Sequence, residues 1–142
     1  MYGLVIASHG NLATELVATA EQIVGPLSHT ATCGVSPGTS LQEIRARILE
    51  AVKQVDGGDG VMVLTDLIGG SACTQSLSLC RELQIEVLTG VNLPMILKAN
   101  SLRETPQTLN QLAHTLADYG KRNITCATDN LRVESPIAAG RT

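Results

Sequence analysis

A chain of 142 residues with 44% apolar and 16% charged residues reads as one globular domain with its own core, not as a disordered segment or a disulfide-stapled peptide. Its net charge of −3, with no basic cluster, argues against a nucleic-acid backbone as partner; two Tyr and no Phe or Trp leave no platform for stacking bases or sugar rings. No apolar run approaches the ~20 residues of a membrane span, and the N-terminal run lacks the length and basic flank of a signal peptide. A soluble, cytoplasmic protein without direct membrane insertion is expected.

The first predicted element is a buried strand over residues 3–8, ending in Ser8-His9-Gly10. A helix follows over 11–24, with Leu12, Leu16, Ala20 and Ile23 as its apolar stripe and Gly25-Pro26 as its stop. Residues 29–35 alternate weakly as a second strand, and Ser36-Pro37-Gly38 is a turn. Over 41–55 the stripe Leu41, Ile44, Ile48, Val52, Val55 predicts a helix, and Ser40 with Glu43 has capping-box spacing. Residues 61–65 are a second strongly buried strand, ending at Asp66.

Gly69-Gly70-Ser71 opens a predicted helix over 71–83, with Cys73, Leu77, Cys80 and Leu83 on one stripe. A strand over 85–89 is ended by Gly90, and Asn92 to Leu97 open a short helix with Pro94 in its first turn. A last helix over 106–121 turns Leu109, Leu112, Ala113, Leu116 and Ala117 inward, residues 124–128 read as a fifth strand, and the tail after Val133 is loose. Cys33, Cys73, Cys80 and Cys126 lack metal-ligand or Cys-x-x-Cys spacing and read as small buried hydrophobes. His29 and His114 have no partner motif and read as surface or packing residues.

Alternating strands and helices predict an α/β fold: an open parallel sheet of four strands in the order 2-1-3-4, with helices on both faces. Residues 1–130 form the domain and 131–142 a flexible tail. In such a sheet, ligands sit beyond the carboxyl ends of the strands where strand order reverses. The first and third strands meet there, ~4.8 Å apart. His9 ends the first and Asp66 ends the third, so the topology places them side by side.

That pairing assigns a chemistry. One imidazole nitrogen is a nucleophile while Asp66 accepts the proton of the other, fixing the tautomer. Gly69, Gly70, Ser71 and Ala72 lie at a helix N-terminus, where free amides and the helix dipole favour an anion. Gly10 leaves room beside the histidine, and Asn92, after the fourth strand, is placed on the site rim. The expectation is phosphoryl chemistry carried on a histidine. It needs no nucleotide, metal or other cofactor, because no phosphate-binding Gly-Lys-Ser/Thr loop or Gly-x-Gly-x-x-Gly fingerprint is present.

Four motifs carry a family resemblance: Ser8-His9-Gly10, Pro37-Gly38, Thr65-Asp66-Leu67-Ile68-Gly69-Gly70-Ser71 and Gly90-Val91-Asn92-Leu93-Pro94-Met95. Together, over roughly residues 2 to 122, the chain resembles the IIA domain of the mannose-type permeases of the bacterial phosphoenolpyruvate:sugar phosphotransferase system. The resemblance implies a phosphoryl carrier whose His9 takes phosphate from the phosphocarrier protein HPr and passes it to a IIB protein, with Asp66 as the orienting carboxylate. It also implies a homodimer in which a C-terminal strand, here residues 124–128, is exchanged. The chain departs from the family pattern at Ala72, where Pro is usual, and at Thr74, where Asn is common; both bear on how the loop meets a IIB partner.

Other readings stand beside this one. A regulatory phosphorelay or binding module without sugar transport would use the same residues. The phosphocarrier subunit that feeds dihydroxyacetone kinase shares the fold and the N-terminal histidine, but the Gly90–Met95 motif fits the mannose type better. A Ser-His-Asp hydrolase is disfavoured, since Ser71 follows the acid by only five residues and lies in no Gly-x-Ser-x-Gly elbow.

Overall fold

The computed structural model describes residues 1–134. Four strands, β1 (Gly3–His9), β2 (Thr30–Val35), β3 (Val61–Thr65) and β4 (Ile85–Leu88), form one parallel sheet in the order β2-β1-β3-β4. The helices are α1 (Leu12–Val24), α2 (Leu41–Val55), α3 (Ser71–Leu79), α4 (Leu93–Ser101), α5 (Leu109–Arg122) and α6 (Ala127–Glu134). Alternation along the central strands divides the core in two. Leu4, Ile6, Met62 and Leu64 face α1, α4 and α5, while Val5, Ala7, Val61 and Val63 face α2 and α3. All of β3 and most of β1 are buried, so these strands are apolar on both faces, as covered parallel strands are.

The open sheet and the order 2-1-3-4 are as expected; several details differ. α1 buries Ala13 and Ala20, with Leu12 and Ile23 exposed, so the stripe is turned from the expected one. Small alanines let the helix lie close to the sheet, while Leu16 and Val17 pack at the side. In α2, Ser40 Oγ accepts from the Glu43 amide at 3.1 Å and the expected stripe is buried from Ile44 onward; Leu41 is exposed. α3 stops at Leu79 and buries Ala72, Cys73, Ser76 and Leu79, not Leu77 and Cys80. Ser76 is tolerated inside because its hydroxyl donates to the Ala72 carbonyl at 2.6 Å. Of the four cysteines, Cys33 and Cys73 are buried and Cys80 and Cys126 exposed.

In the single chain residues 124–128 form no strand. α5 runs to Arg122, residues 124–126 are irregular, and α6 begins at Ala127. Ile124 is exposed and its amide donates to the Lys121 carbonyl at 3.2 Å, so it closes the preceding helix and does not extend a ladder. With one large apolar side chain, the segment has no face to bury. The tail expected from residue 131 begins here within α6, and residues 135–142 lie outside the described residues. Among the described residues no helix is long and apolar enough to cross a membrane.

Candidate functional site

The sheet register sets the site. Ala7 and Thr65 are the last pair between β1 and β3; β1 continues along β2 to His9, opposite Val35, while β3 ends and Asp66 follows it at the carboxyl edge. His9 Nδ1 lies 2.8 Å from Asp66 Oδ2, and the same oxygen accepts from the His9 backbone amide at 3.0 Å. Asp66 Oδ1 accepts from the Leu67 amide at 2.9 Å. The carboxylate is therefore bound by three donors, 11% exposed, while the imidazole is 53% exposed. The ring can be reached from solvent; its orienting group is sheltered.

Burial alone would raise the Asp66 carboxyl pKa, but the hydrogen bonds from the His9 backbone and ring, the ring's charge and the Leu67 amide together hold it below the ordinary 3.8. The sign follows directly. A depressed pKa stabilises the fold above the unfolded-state value, and that stabilisation is lost as pH falls through the native one. Urea unfolding of wild type and Asp66→Asn should show a stability gap that shrinks as pH falls below about 4. A gap that grows as pH falls through that range would contradict this assignment.

The rest of β1's exit is built to aim the ring. Ser8 is fully buried; its Oγ accepts from the Ala13 amide at 2.7 Å, filling one vacant donor of α1, and donates to the His9 carbonyl at 3.1 Å. Gly10 turns the chain at φ +55, and its amide donates to the Val35 carbonyl at 2.9 Å. Across from it, a Cβ on Gly34 would stand 2.4 Å from the Gly10 carbonyl oxygen. Gly34→Ala should thus displace the His9–Gly10 turn, costing about 1–3 kcal/mol in stability. Urea unfolding measures that cost, and a broadened or shifted His9 ring resonance reports the displaced turn. Sequence reasoning missed Gly34, whose only signal was a glycine inside a strand.

The head of α3 lies against the ring. Gly69 has φ +79, and Gly70 is the N-cap of α3 without any side-chain cap, leaving the first-turn amides of Ser71, Ala72 and Cys73 without a capping side chain. A Cβ on Gly70 would stand 3.1 Å from His9 Cε1 and 3.8 Å from Nε2, so the imidazole lies against bare backbone. Ser71 is the first helical residue, not a cap, and with His9, Gly10, Ser36 and Thr39 it lines a cavity of about 380 Å³. A larger cavity, about 530 Å³, lies at the opposite end of the sheet by Met1, Asp59 and Arg103, away from this chemistry.

Asn92 is not part of the cavity beside His9. Its Oδ1 accepts from the Met95 amide at 3.0 Å, capping α4, and its Nδ2 donates to the Gly120 carbonyl at 3.3 Å. His29 and His114 are exposed and distant from the site's motifs. Among the described residues no group of three or more His, Cys, Asp and Glu side chains could hold a metal ion.

Fold and site together define an open parallel α/β protein with a histidine–carboxylate pair at the point where strand order reverses, facing an uncapped helix N-terminus. A family model described as "PTS system fructose IIA component" matches residues 3–116. The mannose-specific EIIAB component of the phosphotransferase system of Escherichia coli K12 is 25% identical over 122 residues, 85% of this chain; the chain spans 38% of that relative's length. The fructose-specific EIIA component of Bacillus subtilis is 28% identical over 105 residues, 73% of this chain and 72% of the relative. In structure, the IIA protein associated with the fucose utilization operon of Streptococcus pneumoniae superposes with a TM-score of 0.79 at 29% identity, covering 92% of this chain and 96% of that one. The chain belongs to the mannose-type EIIA family, the IIA components of the sugar phosphotransferase system.

Proposed function

We propose that this chain is a phosphoryl carrier, accepting phosphate from HPr on His9 and passing it to a IIB protein. The observation that carries the reading is the 2.8 Å contact between His9 Nδ1 and Asp66, with the Cε1 edge of the ring against the Gly70 backbone. Asp66 accepts the Nδ1 proton, so the lone pair of the neutral ring lies on Nε2. That nitrogen attacks phosphorus, the N–P bond of the donor's phosphohistidine breaks, and its electron pair returns to the donor imidazole. The Nδ1 proton stays in its hydrogen bond, and the carboxylate balances the positive charge that the phosphorylated ring acquires.

The incoming group carries negative charge, and the Ser71 and Ala72 amides at the head of α3, with the Ser71 hydroxyl, are the donors this reading gives it; Gly70, whose own amide donates to the Leu67 carbonyl, leaves the backbone bare beside the ring. Gly69 shapes that turn and Gly10 opens the approach. The chemistry is the same in both directions, as a carrier requires, because no group is consumed. His9 and Asp66 are thus the catalytic pair, and the protein works in the cytoplasm, as a homodimer, without its own cofactor. The test is to incubate the purified chain with phosphoenolpyruvate, enzyme I and HPr and take an intact mass. One acid-labile phosphoryl group per chain supports the reading. No adduct, with the same HPr loading another IIA protein, would leave a regulatory binding module as the better description.

A further inference from the structure

The loop after β4 touches the site through backbone, not side chains. The Gly90 amide donates to the carbonyl of Asp66 at 3.2 Å, and the Val91 amide to the carbonyl of Thr65 at 3.0 Å. Gly90 can present its amide this way because it sits at φ +74, a conformation that L side chains resist. The buried Thr65 adds a third tie, donating from its hydroxyl to the Leu88 carbonyl at 3.1 Å. The backbone bearing Asp66 is thus held from the β4 side as firmly as its carboxylate is held by His9.

What holds the loop itself is Asn92. One side-chain atom caps α4 and the other reaches Gly120 near the end of α5, two elements that otherwise meet by packing. The fit there is close: a Cβ on Gly120 would lie 2.7 Å from Met95 Cγ and 3.4 Å from Asn92 Nδ2. Asn92, bonded to Gly120 and to the Met95 amide, is joined through the backbone to Val91 and Gly90, whose amides hold Thr65 and Asp66, and Asp66 in turn holds the imidazole. We infer that Asn92 is a positioning residue for the phosphoryl transfer proposed above, acting through the Gly90–Val91 loop on Asp66 and so on the tautomer and aim of His9.

Asn92→Asp separates this role from capping. Aspartate caps a helix as well as asparagine does, but it cannot donate to Gly120 and sets a carboxylate against that carbonyl. Should this variant fold poorly, Asn92→Ser keeps a capping oxygen without the reach to Gly120. Two readouts are taken on folded protein. The ¹⁵N spectrum of the His9 ring, in the unphosphorylated chain, should change from a single neutral form protonated on Nδ1 to a mixture of tautomers. The initial rate of phosphoryl uptake should fall about tenfold, with helix content as in wild type. A wild-type ring spectrum in both variants overturns the inference whatever the rate does. If wild type takes no phosphate at all, the carrier reading fails, and the ring spectrum still decides the role of Asn92.

Discussion

His9→Ala should take phosphoryl uptake to background, a loss of at least ~10³-fold, because the atom that forms the new bond is gone and no neighbour can replace it. Among the described residues His29 and His114 form no ion pair with a carboxylate, so neither reproduces the His9 arrangement. Stability should change little. The ring is more than half exposed, and Asp66 keeps the amides of residues 9 and 67 as donors when the ring is removed. A time course of intact mass with phosphorylated HPr checks the first point and urea unfolding the second. An alanine variant that still gains phosphate at a comparable rate would move the acceptor elsewhere in the chain.

Asp66→Asn should be nearly as damaging without removing any atom that bonds to phosphorus. An amide fills the same space, but in either orientation its NH2 group meets a donor: the Leu67 amide in one, the His9 amide and the Nδ1 proton in the other. In the second orientation the ring gains by carrying its proton on Nε2, which occupies the lone pair that must attack. The phosphorylated form also loses its compensating charge. Single-turnover transfer should slow by about 10²–10⁴-fold, the range set by loss of proton-positioning and charge-stabilising groups. A slowing of less than about threefold would show that Asp66 neither sets the tautomer nor stabilises the charged ring.

Much of this was legible in the sequence because it follows from strand ends. Two runs buried on both faces, each stopping at a polar residue, determine that His9 and Asp66 leave the sheet at its carboxyl edge. The doubly wound order then makes them neighbours. The helix faces were less legible. Periodicity marks a stripe about half a turn wide, and the choice within it was made by small residues in α1, Ala13 and Ala20, and by a serine in α3 that satisfies its own hydroxyl. A hydrophobicity count ranks all three behind Leu12, Ile23 and Leu77, which are exposed.

The clamps around the site could not be read at all. Gly34 matters because of a carbonyl twenty-four residues away in the chain at Gly10, and the Gly90–Val91 loop because of backbone atoms of β3. Neither leaves a periodic trace. Asn92 shows the intermediate case. Its position after the fourth strand suggested the site rim, but its side chain bonds α4 and α5 and not His9 or Asp66. In the segment 124–128 local apolar character suggested a strand, and in the single chain the end of α5 and the start of α6 take its place.

The measurement that bears most directly on the central claim is the site of the phosphoryl group on the ring. Protein labelled with ¹⁵N in its histidines is loaded through phosphoenolpyruvate, enzyme I and HPr and examined for ¹⁵N–³¹P coupling. Because Nδ1 is bound to Asp66 and Nε2 is the nitrogen left open, the coupling should appear on Nε2 of His9 and nowhere else. Phosphate on Nδ1, or on another residue, would contradict the arrangement in which Asp66 directs one nitrogen inward so that the other can carry the phosphoryl group.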